Sequence, residues 1–404
     1  MKVICVDPRL GDLPGHYFNE AKGQIDEFRR RAVDYELLVS VHAPPSMVAE
    51  LNAHPVVDDP TFRFEWSFEE RSNRFLAMLH EHVDHRVSAG DRVLMTYVTQ
   101  LEAHALVRWL AELPSAQTPW VVAMFLVDAW NHSDQAEHER HLAEFSKLRL
   151  AASSLSPEDA TRMIFFAQTE SLAADVAGLI GTRVELAPMP LPYPGPRSYT
   201  SARLPTASPR VAILGGMRAE KGSYLVTDIV RACRTRAPVE FLIDTTAEYL
   251  VADKLERIAH LAEEPGVTAV DRTMTRPEYY SAIAGSHIGV FPYEVAPYRN
   301  RTSGVFAEMV AFGKPVVATH GTWLGDQIEA GRAAGAVFDE LEPEAIADAI
   351  LRCATDLESL TQSANAMARA WRRDVSLPAF INLMDATIEE RSRIGAHSGR
   401  RERT

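Results

Sequence analysis

Short apolar runs alternate with longer amphipathic segments along most of this 404-residue chain. The runs are rich in Val and Ile, which is typical of strands buried on both faces, and the segments between them have helical periodicity. The predicted strands are 2–6, 36–41, 92–96, 120–127, 163–167, 210–214, 239–243, 267–270, 288–291 and 315–319. The main predicted helices are 68–87, 100–113, 305–312 and those starting near 223, 247 and 277. This alternation predicts an α/β fold with parallel sheets covered by helices.

Prolines divide the chain into two halves. Seven of the 24 prolines fall within residues 187–209, and neither a helix nor a central strand tolerates that density. We therefore predict one domain over 1–190, a Pro-rich linker over 191–209 and a second domain over 210–375. An amphipathic helix is predicted over 376–390, followed by a basic, mobile tail over 391–404.

A glycine-rich loop follows the first strand of the second domain. It contains Gly215 and Gly216, then Arg218, Lys221 and Gly222. Glycines at this point admit positive φ angles and expose backbone N–H groups, a helix start carries positive charge, and the two cations add to it. The loop lacks the spacing of a P-loop or of a dinucleotide fingerprint. It predicts a site for a diphosphate held by side chains, or alternatively a tight turn with two solvated cations.

A second loop follows the strand 288–291 and leads into the helix 305–312. Thr302 or Ser303 is a suitable N-cap, and Gly304 would let a ligand approach the first turn. Glu308 would lie about 6 Å further along the helix, near a ribose attached to a phosphate at its start. An exposed helix acid is the alternative interpretation of Glu308. Glu294, Tyr298 and Asn300 are further polar residues of this loop that could contact the same ligand.

These two segments resemble those of GT-B glycosyltransferases, and of glycosyltransferase family 4 (group 1) bacterial enzymes in particular. The resemblance implies that Arg218 and Lys221 hold the diphosphate of the donor and that Glu308 binds its ribose. The family pairs this glutamate with another one eight positions earlier, where this chain has Asn300, and Glu294 is a substitute from the same loop. The resemblance further implies two Rossmann-like domains facing a cleft, a final helix crossing back to the first domain, and retention of anomeric configuration.

The acceptor is expected to bind the first domain. Gly15 and His16 follow the first strand, where family members often carry a glycine-rich acceptor-side loop. Asp128 follows the apolar strand 120–127, with an indole and an imidazole close behind it, a combination suited to a sugar. A structural or solvated role is the alternative for each of these residues. Thr99 and Glu102 have the spacing of a capping box.

Composition limits the kinds of partner molecule and the cellular compartment that we expect for this protein. The formal net charge of −13 argues against nucleic acid as a partner. Three widely spaced cysteines indicate neither disulfides nor a zinc site, and no stretch is apolar enough to span a bilayer. We therefore expect a cytoplasmic protein, either free or peripheral to the inner face of the membrane through its basic tail. We find no spacing specific to a metal site and expect no cofactor and no metal requirement.

The predicted function is transfer of a sugar from a nucleoside diphosphate sugar to a hydroxyl acceptor, in polysaccharide or glycoconjugate biosynthesis. The acceptor could be a glycan, a lipid-linked intermediate or a small glycoside. Arg218 and Lys221 would stabilise the negative charge that grows on the departing diphosphate, which requires no metal. A catalytically impaired nucleotide-sugar-binding protein and a nucleotide-sugar epimerase are the alternatives.

Overall fold

The computed structural model describes every residue except 12–15, 62, 64, 116, 127–134, 194–207, 247–259 and 402–404. It divides into two compact units, one formed by Met1–Pro192 with Ser376–Thr404 and the other by Tyr193–Val375. Most of the predicted linker, 191–209, and the start of the helix predicted near 247 lie outside the described residues.

Each unit contains one parallel sheet. The strands of the first unit are β1 Lys2–Asp7, β2 Asp34–Ser40, β3 His54–Val57, β4 Arg92–Val98, β5 Trp120–Phe125, β6 Met163–Ala167 and β7 Val184–Leu186. Their order in the sheet is β3-β2-β1-β4-β5-β6-β7. The strands of the second unit are β8 Arg210–Ile213, β9 Glu240–Asp244, β10 Val267–Val270, β11 Ile288–Phe291, β12 Val316–Thr319 and β13 Gly335–Phe338. Their order is β10-β9-β8-β11-β12-β13.

The described helices connect successive strands. Those of the first unit are α1 His16–Arg30, α2 Pro45–Leu51, α3 Phe68–His82, α4 Gln100–Glu112, α5 Gln135–Ser153, α6 Pro157–Arg162 and α7 Glu170–Ile180. Those of the second unit are α8 Val226–Arg234, α9 Arg276–Ala284, α10 Val295–Tyr298, α11 Gly304–Ala311, α12 Trp323–Glu329, α13 Pro343–Thr355 and α14 Leu357–Asp374. A final helix, α15 Leu377–Arg401, belongs to the first unit.

Both faces of the first sheet are buried, as its apolar strands predict. On one face Ile4 and Met95 pack in a cluster that includes Phe75 of α3. On the other face Val3 is in a cluster with Phe380 of α15. The final helix therefore supplies part of the core of the first unit, which removes apolar surface of both the sheet and the helix from water.

The three strands that the sequence pattern missed, β3, β7 and β13, all lie at sheet edges. They are three or four residues long and only partly buried, so they lack the continuous apolar run of a central strand. The alternation nevertheless predicted every central strand. The predicted α/β fold with two Rossmann-like domains is confirmed.

The C-terminus differs from the prediction. The helix was expected to end at residue 390 and to be followed by a mobile tail over 391–404, but α15 continues to Arg401. Arg391 is ordered because its guanidinium donates to the Met163 carbonyl at 2.8 Å and lies 3.4 Å from the Glu185 carboxylate. These partners come from strands of the first unit, and the tail prediction considered only the local composition.

Candidate functional site

The glycine-rich loop lies at the carboxyl end of β8, beside the carboxyl end of β11. The two strands are neighbours, with Ile288 paired to Val211. Gly222 has a φ of +69°, and a Cβ there would lie 2.2 Å from the Pro292 carbonyl oxygen. Only glycine fits such a left-handed position against another backbone. The loop is thereby held against the segment that follows β11, at the edge where parallel sheets bind ligands.

Further contacts join the two predicted segments. The Glu294 amide donates to the Glu220 carbonyl at 2.9 Å. The Lys221 ammonium donates to the Gly215 carbonyl and lies 5.9 Å from the centre of the Tyr293 ring. The structure therefore brings the Arg218–Lys221 loop and the loop before α11 into one site, as a donor site built from both requires.

The glycine amides of this loop are not available in the way the sequence suggested. The Gly215 and Gly216 N–H groups donate to one oxygen of the Asp244 carboxylate, at 3.2 and 3.0 Å. Asp244 is the last residue of β9, so it reaches the loop from the neighbouring strand. The expectation that these amides bind an external anion is corrected, because both already donate to the Asp244 carboxylate. Their positive φ angles, +95° and +71°, still require glycine.

The helix predicted to start near 223 also begins later. Two short 3₁₀ segments, Ala219–Lys221 and Ser223–Leu225, precede α8, which starts at Val226. Gly222 between them is left-handed and cannot continue a helix. Positive charge in this loop therefore comes from the side chains of Arg218 and Lys221, both half-buried, and not from the start of a long helix.

The start of α11 matches its prediction more closely. Ser303 is the N-cap, with its hydroxyl accepting from the Phe306 amide at 3.3 Å. Thr302, the other candidate, is half-buried and precedes the cap. Gly304 is exposed, and a Cβ there would contact nothing within 4 Å. An open, capped helix start is a suitable place for an anion.

Glu308 lies on α11 one turn after Gly304 and is not an ordinary exposed acid. Its carboxylate accepts from the Tyr279 hydroxyl at 2.7 Å and from the Tyr280 hydroxyl at 3.5 Å. Arg276 donates to that second hydroxyl at 2.9 Å. Burial raises the pKa of Glu308 to about 7, although the two tyrosines and Arg276 oppose the shift. The tyrosines orient the carboxylate and had no signal in the sequence that linked them to it.

The other donor-side candidates lie in the loop between β11 and α11. Tyr298 is buried, with its ring centre 4.3 Å from that of Tyr293. Asn300 is also buried, and Glu294 is half-buried beside Tyr224. Burial and the Glu294 carboxylate both raise the pKa of Tyr224. The substitute acid Glu294 and the polar Asn300 thus belong to the same described segment, and their roles toward a sugar stay predictions.

The acceptor-side candidates are largely outside the described residues. This holds for Gly15 and Asp128, while His16 is the first residue of α1 and its side chain is not described. The predicted capping box of Thr99 and Glu102 at the start of α4 is confirmed.

Buried acids at the carboxyl end of the first sheet were missed by the sequence interpretation. Asp7 ends β1, and burial raises its pKa to about 6. Glu20 on α1 accepts from the Tyr97 hydroxyl and from the Gln24 amide, and burial raises its pKa to about 8. Nothing local marks Glu20 in the sequence because its partner Tyr97 is distant along the chain.

Within the described residues, no group of three or more His, Cys, Asp or Glu side chains is placed to hold a metal ion. In that same part of the chain, no helix is both long and apolar enough to cross a membrane. The three cysteines, Cys5, Cys233 and Cys353, are buried and unpaired.

Comparison with known proteins agrees with this geometry. Residues 208–356, which include the whole candidate donor site, match the family model of glycosyl transferases group 1. No curated protein matches by sequence.

Solved structures share the fold at low identity. A glycosyltransferase from Rickettsia africae ESF-5 has a TM-score of 0.67 at 10% identity, covering 96% of this chain and 98% of that one. Anabaena Alr3699/HepE in complex with UDP and glucose has a TM-score of 0.66 at 14% identity, with coverages of 96% and 99%. An E. coli trehalose-6-phosphate structure bound with UDP-2-fluoro glucose has a TM-score of 0.66 at 11% identity, again covering 96% and 99%. The predicted resemblance to group 1 glycosyltransferases is confirmed over residues 208–356, and the predicted GT-B fold is confirmed over nearly the whole chain.

Proposed function

We propose that this protein transfers a sugar from a nucleoside diphosphate sugar to a hydroxyl acceptor, with the donor bound at the carboxyl edge of the second sheet. One observation carries the proposal: Arg218, Lys221 and the open start of α11 meet at the ends of adjacent strands. Two cations and a helix N-terminus around one position form a site for a diphosphate. Glu308 lies further along the same helix and has acceptor oxygens for the ribose hydroxyls.

The reaction breaks the bond between the anomeric carbon and the β-phosphate oxygen. The electron pair of that bond stays on the phosphate, the acceptor oxygen bonds to the anomeric carbon, and the acceptor hydroxyl passes its proton to the leaving phosphate oxygen. Arg218 and Lys221 stabilise the charge that grows on the leaving phosphate, and the Ser303 cap directs the first amides of α11 toward the same charge. Such fixed groups lower the barrier because they are oriented before the charge develops.

Two finer statements are part of this proposal. Retention of the anomeric configuration is supported by the resemblance to group 1 enzymes. Departure without a divalent metal is supported by the two cations at the diphosphate position. A uridine nucleotide is the first donor to test, because the printed descriptions of HepE and of the E. coli structure name UDP compounds.

Nucleotide release tests the function directly. The protein is incubated with UDP-, GDP-, ADP- and dTDP-sugars, with and without a panel of glycan, lipid-linked and small glycoside acceptors. We expect release of a nucleoside diphosphate that depends on an acceptor and continues in EDTA. Binding without turnover would indicate a nucleotide-sugar-binding protein, and inversion at a sugar carbon without net release would indicate an epimerase.

Attachment to a membrane through basic C-terminal residues stays a prediction. Arg391 does not contribute to it, because this side chain is occupied within the first unit. Sedimentation with anionic vesicles, before and after removal of residues 395–404, measures the remaining effect. We expect any binding of the intact protein to weaken in the truncated form.

A further inference from the structure

Buried hydroxyl groups without a hydrogen bond are unevenly placed in the described part of the chain. All of them lie in the second unit, and they are Ser223, Thr246, Tyr293 and Thr319. Thr319 is the last residue of β12, and Ser223, Thr246 and Tyr293 lie in the segments that follow β8, β9 and β11. Each of them therefore lies at the carboxyl edge of the second sheet. A buried polar group normally has a partner, and one without a partner requires an explanation. A ligand at this edge would provide one.

Tyr293 has the most informative surroundings of the four. Its side chain is almost fully buried, 3% exposed, and packs between the rings of Phe291 and Tyr298. The Lys221 ammonium lies 5.9 Å from its ring centre, and Arg218 is close enough to act on its ionisation. The Ser303 hydroxyl lies beside it without forming a hydrogen bond of normal geometry.

Most groups around Tyr293 are donors, although the Glu220 carboxylate also acts on its ionisation. Burial raises the pKa of Tyr293 well above its ordinary value, so that the hydroxyl keeps its proton at neutral pH. The Ser303 oxygen already accepts from the Phe306 amide. Two cations, a helix start and a phenolic hydroxyl without a hydrogen-bond partner therefore lie close together. The oxygens of an anion would accept from such donors.

We propose that the Tyr293 hydroxyl donates a hydrogen bond to the diphosphate of the nucleotide sugar. This inference rests on the proposed function and adds a residue to its donor site. Tyr293 is the second residue after β11, so it joins the Arg218–Lys221 loop to the start of α11. In the reaction it would help hold the β-phosphate oxygen on which charge develops.

The test measures binding to the full-length protein, not activity alone. Dissociation constants of UDP, GDP, ADP and dTDP are measured by calorimetry for the intact protein and for Tyr293→Phe. For the nucleotide that binds, we expect the variant to weaken affinity about 10-fold to 100-fold, the range for one hydrogen bond to a charged group. The corresponding nucleoside lacks the diphosphate, so its affinity should not change.

Stability of the ligand-free protein separates a ligand contact from a structural role. Removing a buried hydroxyl that has no partner should leave the melting temperature unchanged or raise it. Tyr35→Phe is the matched control, because the Tyr35 hydroxyl donates to Gln24 at 3.0 Å in the first unit. That control should melt earlier and bind the nucleotide normally.

The outcomes are distinct. Unchanged nucleotide affinity in Tyr293→Phe overturns this inference and leaves the proposed function standing. Earlier melting of the ligand-free variant with normal affinity assigns the hydroxyl a structural role and also overturns it. An intact protein that binds none of the four nucleotides overturns the proposed function and the inference together.

Discussion

The carboxyl edges of the two sheets have the same topology and opposite chemistry. In each sheet the chain order reverses beside the first strand, β1 or β8, and the ligand edge is equivalent. At the first edge the described acids are buried and have partners within the unit: Glu20 accepts from Tyr97 and Gln24, and Glu102 lies beside Arg9. At the second edge buried hydroxyls lack partners and cations gather. Among the described residues, the buried acids of the first edge have partners within the unit, whereas four buried hydroxyls of the second edge have none, as expected of a site for an external ligand.

This difference explains why the candidate donor site could be predicted from the sequence. Its two segments, the Arg218–Lys221 loop and the start of α11, are each short and local, so a short sequence motif records each of them. A satisfied network uses residues from several elements at wide separation. Arg9 and Glu102, for example, lie 3.7 Å apart but come from different strand ends. The following predictions test this contrast, from the largest expected effect to the smallest.

Loss of either cation should abolish most of the activity. We expect Arg218→Ala and Lys221→Ala each to lower kcat/KM by about 100-fold or more, because each removes a charge-assisted contact to the leaving group. Arg210→Ala is the matched control: Arg210 begins β8, at the opposite end of the strand from the Arg218–Lys221 loop, and pairs with Glu240. Initial rates at varied donor concentration are the measurement. Near-normal rates in both site variants would mean that the second edge is not the donor site.

The buried acid Glu20, at the carboxyl edge of the first sheet, should make the stability of the protein depend on pH. The pKa of Glu20 is raised to about 8, so the folded state holds this proton while the unfolded state releases it above about pH 4.5. Between these values folding becomes less favourable as pH rises. Glu20→Gln removes the titration and should gain about 3 to 4 kcal/mol of unfolding free energy over the intact protein between pH 5 and pH 8.

Urea unfolding at several pH values measures the Glu20 effect. Glu50→Gln, an exposed acid paired with Lys22 in the same unit, is the control and should follow the intact protein. A difference between Glu20→Gln and the intact protein that does not vary with pH would contradict the buried, protonated state. Nucleotide affinity, a property of the second edge, should stay unchanged in both variants.

Glu308 should affect donor binding more than chemistry. Ribose contacts exist in the ground state and in the transition state alike, so Glu308→Ala should raise the donor KM about 10-fold with little change in kcat. The pKa of Glu308 is raised to about 7, and only its ionised form keeps both oxygens as acceptors. The donor KM of the intact protein should therefore rise as pH falls through 7, and that of Glu308→Gln should not. A lower kcat at unchanged KM would contradict the ribose role.

Much of the architecture could be predicted from the sequence, and the limits have physical causes. Central strands carry apolar runs, but the edge strand β7, only partly buried, does not. The N-cap at Ser303 was readable because a cap is a local contact. Asp244 was not, since its bonds to Gly215 and Gly216 depend on which strand lies next to β8. The orientation of Glu308 by Tyr279 is equally non-local.

The smallest effect tests whether the two edges are independent. Arg391 on α15 ties the final helix to the first unit through the Met163 carbonyl and Glu185. Arg391→Ala leaves that buried carbonyl and carboxylate with fewer donors and should lower the unfolding free energy by about 1 kcal/mol.

Arg393→Ala is the control for Arg391, because Arg393 lies on the same helix in an exposed pair with Glu389. Such surface pairs contribute little, so this variant should unfold like the intact protein. Denaturant unfolding and nucleotide calorimetry on the same samples give both readings. Nucleotide affinity should be equal in all three proteins, since Arg391 contacts only the first unit. If Arg391→Ala weakened nucleotide binding, the two carboxyl edges would be coupled. Nucleotide affinity in the second unit would then depend on side-chain packing in the first unit.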